Sequence, residues 1–268
     1  MIDQASYLQL DYWQVALATS LILVNGALSF ALQLGLGKRL LIAAVRTTIQ
    51  LLLIGLVLQQ IFELDHWAPV VGLAFIMVLI AGLAAVRRTS RRFPGIWLSS
   101  TLSILVSSWI VAAIALSSIV RVDPWYRPQY AIPFLGMILG NALTGISLGL
   151  DRFAETLVRS KDQVELYLTL GAARWEAALP AVREAVRTGM IPILNSMTVV
   201  GLVSLPGMMT GQMLAGVPPA EAVKYQIVIM FLIASVTAMG TVGAVLLSYR
   251  RLLNRRHQFL FGSISEAR

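Results

Sequence analysis

Long apolar stretches with few charges constrain this chain more than any other feature. Seven of them have membrane-crossing length and lack the alternation of a half-buried strand. They are Trp13–Leu36, Leu40–Phe62, Ala68–Val86, Ile96–Val120, Tyr130–Leu150, Thr188–Leu205 and Ala222–Tyr249. Only 13% of the 268 residues are charged and 57% are hydrophobic, whereas soluble domains carry roughly 25% charge. Such a chain cannot cover a water-facing surface. Backbone in lipid must satisfy its own hydrogen bonds, and apolar runs of this length do so as helices. The expectation is an all-α polytopic membrane protein with about seven transmembrane helices, forming one transmembrane domain over residues 1–268.

The charges alternate along the chain. Of 21 Lys and Arg, 18 fall in or beside Lys38–Arg46, Arg87–Arg92, Arg152–Arg187 and Arg250–Arg268. Arg121, Arg127 and Lys224 lie in the intervening loops with Asp3, Asp11, Glu63, Asp65, Asp123 and Glu221. One side of the membrane then carries +11 and the other −3, giving the net +8. Because cytoplasmic loops concentrate Lys and Arg, the C-terminus is expected in the cytoplasm and the N-terminus outside. The basic balance therefore reports topology and not a nucleic-acid partner. A multi-pass protein of the inner (plasma) membrane, in contact with lipid, is expected. The first span lacks a basic residue before it and a cleavage site after it, so it is expected to stay in place.

Two segments depart from the pattern. Residues 151–187 are too long and too charged for a simple turn. There Trp175, Leu179, Val182 and Val186 form a helical stripe that would lie on the membrane or a partner, with Pro180 expected to interrupt the helix or start a turn. Further on, Pro206-Gly207 breaks the short sixth span while the residues beyond it stay apolar. That is the pattern of a broken helix or re-entrant segment, which transporters place along a cavity.

Self-contained catalysis is not expected. His66 and His257 fall on opposite sides of the membrane, no acidic pair lies within a span, and Cys is absent. Metalloprotease and nucleophile-elbow motifs are missing as well. Gly35-Leu-Gly37-Lys38-Arg39 has the wrong spacing for a phosphate-binding loop and puts Arg39 where magnesium needs a hydroxyl.

Polar groups within spans are few: Arg46 and Gln50 one turn apart, Asn141, Asn195 and Gln226. Each either lines a wet path or joins helices. Met208, Met209 and Met213 cluster beside the Pro206 break, and thioethers either fill irregular packing or hold a soft metal transiently. They are the only candidate metal ligands, and whether they hold metal stays open. The pairs Gly136/Gly140, Gly145/Gly149 and Gly207/Gly211 suit close helix approach, within the chain or between two copies.

The run Gly201-Leu-Val-Ser-Leu-Pro-Gly-Met-Met-Thr-Gly211 followed by Ala222-Val-Lys-Tyr-Gln-Ile227 resembles the FetB-type permease family. So do Gly136–Ala142, Arg46–Gln50, Leu170–Ala172 and Arg255–Gln258. These are membrane subunits of bacterial ABC systems assigned to iron export, with plant relatives linked to aluminium tolerance and to UDP-glucose. The resemblance implies a permease, not an enzyme, that binds no cofactor itself. A separate ABC ATPase subunit would hold ATP and Mg, and a second copy of the chain would complete the transporter. It implies iron export, with UDP-glucose or another organic solute as the alternative; an ATPase-independent carrier or membrane scaffold is the alternative of a different class. Arg46, Gln50, Asn141, Pro206, Gly207, Met208, Met209, Met213 and Gln226 are then the candidate substrate path. Glu165, Gly171, Arg174, Trp175 and Pro180, within a cytoplasmic coupling segment over 151–187, resemble the ATPase-docking loop of ABC permeases.

Overall fold

The computed structural model describes residues 11–64, 66–254 and 258–266. Asp3, Asp65, Arg255, Arg256 and His257 lie outside the described residues. Helices α1 (Tyr12–Ala31), α2 (Gly37–Leu64), α3 (Trp67–Arg87) and α4 (Ile96–Ile114) come first. A π-helical turn, Ala115–Ile119, continues α4. Then follow α5 (Pro128–Arg159), α6 (Lys161–Thr169), α7 (Arg174–Val199), α8 (Gly207–Leu214) and α9 (Pro219–Leu252). Strand β1 (Arg91–Arg92) pairs antiparallel with β2 (Ser265–Glu266).

Among the described residues, six helices are long and apolar enough to cross a membrane: α1, α2, α3, α4 with its π-turn, α5 and α9. The all-α membrane class holds, with two corrections. The stretch Thr188–Leu205 is not a span of its own but starts as the end of α7, whose first half carries Arg174, Glu176, Arg183, Glu184 and Arg187. The apolar remainder, 188–199, rises only about 18 Å against a hydrocarbon core of about 30 Å. Helix α7 stops at Val199, Gly201 turns at φ 83°, and α8 restarts at Gly207. The expected break is therefore present, but it begins before Pro206. A second correction concerns Pro180, which lies within α7, as does Pro192. Pro180 withholds one N–H from the Glu176 carbonyl, and the flanking bonds hold the helix through it.

The described residues form two units, 11–64 with 214–217, and 66–213 with 218–266. In the first, α1 and α2 make a hairpin. Its turn uses Gln33 (φ 52°) and Gly35 (φ 68°), and the Leu36 N–H donates to the buried Ser29 Oγ at 3.0 Å. Most other side chains of this hairpin are exposed, as suits helices that lipid tails solvate.

In the second unit α3, α4, α5, α7 and α9 pack around Ile104, Phe134, Ile138, Ile146, Phe153 and Val236. Their crossings are built from small residues, since lipid supplies no hydrophobic drive between helices and close packing has to replace it. A Cβ added to Gly189 would stand 2.6 Å from the Gly145 carbonyl oxygen, and one added to Gly145 would stand 2.9 Å from the Gly189 carbonyl oxygen. Gly240 and Gly243 of α9 admit Ser107 and Ser103 of α4, and Gly82 of α3 admits Thr101 of α4. The side-chain hydroxyls of Thr101, Ser103, Thr237 and Thr241 are buried at these crossings without a hydrogen-bond partner among the described residues.

The glycine pairs thus divide. Gly145 and Gly149 serve contacts within the chain, whereas nothing lies within 4 Å of a Cβ at Gly140, Gly207 or Gly211. The α7 stripe divides too. Val182 is buried, and Ala177, Ala178, Ala181 and Ala185 form the packed face, so α7 does not lay the whole stripe on a membrane or partner. These four small residues are the stronger determinant because helix contact selects for close approach, not for apolar bulk.

Candidate functional site

At the end of the second unit that carries α6, helix α5 runs past its apolar part to Arg159, α6 follows, and α7 returns. Arg152 on α5 holds this return, reaching Glu155 and Glu184 at 3.1 Å each. Between α6 and α7 the chain reverses in a Schellman motif. The Ala172 N–H donates to the Tyr167 carbonyl at 2.9 Å, and the Gly171 N–H donates to the Leu168 carbonyl at 3.2 Å. Gly171 sits at φ 91°, where a side chain is strained, yet open space surrounds it. At the start of α7, the Ala173 N–H donates to Glu176 Oε2 at 2.8 Å.

The candidate coupling residues take different positions around this turn. Glu165 is exposed on α6 and pairs with Lys161 at 3.8 Å. Arg174 donates to the Leu253 carbonyl at 3.3 Å and lies over the Tyr249 ring, and Trp175 meets that ring edge-on at 5.3 Å. Arg174 and Trp175 therefore tie the start of α7 to α9. Pro180 is exposed one turn further along. Sequence reasoning missed Leu166, Tyr167 and Leu170, which are 56%, 51% and 75% exposed. Only Val164 of α6 is buried, so this short helix shows most of its apolar surface outward. An apolar patch beside charged Glu165 and Lys161 is suited to a protein partner. A run of three apolar residues among charges was the signal available for it.

The candidate path residues do not share one cluster. Arg46 and Gln50 belong to the first unit, exposed on α2 beside Leu41, Ile42, Val45 and Ile49. In the second unit, Asn141 is exposed on α5 and its Nδ2 donates to the Met137 carbonyl at 2.8 Å. It shares an outward face with Gly140 and Thr144, whose Oγ1 donates to the Gly140 carbonyl at 3.2 Å. On α8, Gly207 is exposed, Met209 is buried, and Met208 and Met213 are half-buried. The Thr210 hydroxyl donates to the Pro206 carbonyl at 3.1 Å, fastening the break to the first turn of α8.

Gln226 of α9 is buried, and its Oε1 accepts no hydrogen bond among the described residues. Gln212 Oε1 on α8 is in the same condition and did not stand out in the sequence. Among the described residues, no three His, Asp or Glu side chains gather as a cation site. His66 instead caps α3, its Nδ1 accepting the Ala68 N–H at 3.2 Å. An apolar cavity of about 180 Å³ between α3, α4 and α5 is lined by Val70, Ala74, Trp109, Ala112 and Leu135. It contains none of the candidate path residues.

Residues 12–253 match the model of an "Uncharacterised protein family (UPF0014)". The chain belongs to this family. It is 41% identical over 85% of its length to "UPF0014 membrane protein slr1647" of Synechocystis, covering 88% of that protein. It is 34% identical over 92% of its length to the "Probable iron export permease protein FetB" of Escherichia coli, covering 93% of it. It is 31% identical over 91% of its length to "Protein ALUMINUM SENSITIVE 3" of Arabidopsis thaliana, covering 88% of it. No solved structure matches the chain. The UPF0014 relatives thus bear out the resemblance read from Gly136–Ala142 and Gly201–Gly211, and they place the chain among multi-pass membrane proteins.

Proposed function

We propose that this UPF0014 chain is the membrane-spanning subunit of an inner-membrane ABC transporter, exporting iron with ATP hydrolysed by a separate subunit. The observation that carries this reading is the 34% identity to the Escherichia coli protein named as an iron export permease, across nearly all of both chains. The exposed apolar face of α6, held by the Gly171 turn, supports an ATPase-docking role for Glu165–Pro180. Two copies of the chain would pair, and the outward face of Gly140, Asn141 and Thr144 on α5 is the proposed seam beside the path. ATP binding and hydrolysis on the partner subunit would alternate access to that path.

The path is built from neutral groups. Buried amide oxygens such as Gln226 Oε1 accept a weak cation contact, and the thioethers of Met208, Met209 and Met213 are soft donors. Pro206 and Gly207 would provide the irregular backbone at the cavity. Contacts of this kind suit release after transport better than tight storage.

The test is ATP hydrolysis by the chain reconstituted in liposomes with its ATPase subunit, titrated separately with ferrous iron and UDP-glucose. Ferrous iron is expected to stimulate hydrolysis several-fold. Replacing Met208, Met209 and Met213 together by Leu is expected to remove most of that stimulation while leaving basal hydrolysis intact. Stimulation by UDP-glucose alone would overturn the substrate and keep the architecture. Solute movement without any ATPase would overturn the ABC reading.

A further inference from the structure

We infer that the turn between α3 and α4, together with the end of α9, binds the phosphate headgroup of an anionic membrane lipid. The turn carries Arg87, Arg88, Arg91 and Arg92, and the last turn of α9 carries Arg250 and Arg251. These groups are more than 150 residues apart in sequence, and the fold joins them. The Arg251 guanidinium lies against the backbone of Gly95, where a Cβ would stand 2.7 Å from its Cζ, and Nε donates to Ser99 Oγ at 3.1 Å. Gly95 has φ 78°, so the position that admits the guanidinium also needs glycine for its backbone.

Two carboxylates stand nearby, and both are engaged. Glu266 pairs with Arg91 at 3.8 Å. Asp151 Oδ1 accepts from the Ser90 N–H at 2.6 Å and the Ser90 hydroxyl at 2.7 Å. Arg87, Arg88, Arg92 and Arg250 are exposed and have no carboxylate partner among the described residues. Because α3, α4 and α9 are all membrane-crossing helices, their joined ends lie at headgroup level. Trp97 and Leu98 of the first α4 turn are exposed beside the cluster, 51% and 42%, and offer apolar contact to an acyl chain where an indole ring favours the interface. A general excess of positive charge explains the sign of this patch. It does not explain a guanidinium pinned to a neighbouring helix, nor the adjoining apolar face. Both fit a phosphate that brings its own acyl chains, and basic pockets between transmembrane helices recognise such headgroups.

The test is native mass spectrometry of the full chain titrated with phosphatidylglycerol and, separately, phosphatidylcholine. Wild type is expected to retain phosphatidylglycerol in preference. The triple variant Arg88→Gln, Arg92→Gln, Arg251→Gln is expected to bind it about a hundredfold more weakly, roughly fivefold for each arginine. The variant Arg121→Gln, Arg127→Gln should bind it as wild type does, and excess inorganic phosphate should leave the lipid bound. Unchanged affinity in the triple variant overturns the site, and displacement by inorganic phosphate overturns the lipid as its ligand. If the triple variant does not fold, wild type decides by itself. Raising salt from about 0.05 to about 0.5 M should release the lipid, and retention at high salt overturns the proposal.

Discussion

Gly189→Val is expected to leave no folded protein to extract from the membrane, whereas Gly140→Val is expected to yield a monodisperse one. The two glycines face opposite situations. A Cβ at Gly189 would meet the Gly145 carbonyl at 2.6 Å and Thr241 Cγ2 at 2.7 Å, while nothing lies within 4 Å of one at Gly140. Backbone cannot yield as the end of a flexible side chain does, so α5 and α7 have to separate and lose their contact with α9. Even Gly189→Ala is expected to cost about 1–3 kcal/mol, the usual penalty for overpacking. That lowers the midpoint of thermal unfolding by about 2–4 °C for each kcal/mol in a chain of this size. Fluorescence-detected size exclusion and thermal unfolding in detergent measure both effects. A Gly189→Ala variant with an unchanged midpoint would mean that the α5–α7 crossing is looser than a 2.6 Å approach to the Gly145 carbonyl implies.

The second large effect is expected at Gly171. Gly171→Arg is expected to abolish co-purification of the ATPase subunit while permease abundance stays at the wild-type level. The φ of 91° costs a non-glycine residue about 1–3 kcal/mol locally, enough to undo the Schellman turn and re-aim α6. The open space around Gly171 keeps that damage out of the core. Leu170→Glu is the companion variant: it keeps the turn and places charge on an apolar residue that is 75% exposed. Loss of pull-down with both variants assigns docking to this surface. Unchanged pull-down with both would sink the docking assignment.

The sequence disclosed the membrane class because long apolar runs survive any error in their ends. Predicted Ala222–Tyr249, for instance, lies wholly within α9, Pro219–Leu252. The short break also showed itself, since Pro206-Gly207 is chemically unlike its surroundings. Thr188–Leu205 misled because hydropathy averages over a window and cannot see that Arg187 and Ile191 lie on one continuous helix. Pairing information was hidden for a related reason. Gly136/Gly140 and Gly145/Gly149 have the same spacing, and only the neighbouring helices separate the open position at Gly140 from the packed Gly145/Gly149 pair. Arg174 and Trp175 have chemistry suited to a partner, but Tyr249 engages them from 74 residues away or more, a relation no local pattern carries. The α6 patch was legible in principle, as three apolar side chains with nowhere local to go.

The pairing of β1 with β2 bears on the order in which the protein is made. Arg91 meets Glu266 across 175 positions, so the first partner leaves the ribosome long before the second. At about 5–20 residues per second, the interval is on the order of 10–30 s. Throughout it the arginine-rich turn has no strand beside it, and every later helix enters the bilayer first. The two-residue clasp closes only after α4 to α9 have been made, which makes it a structural record that the helices between its two strands are in place.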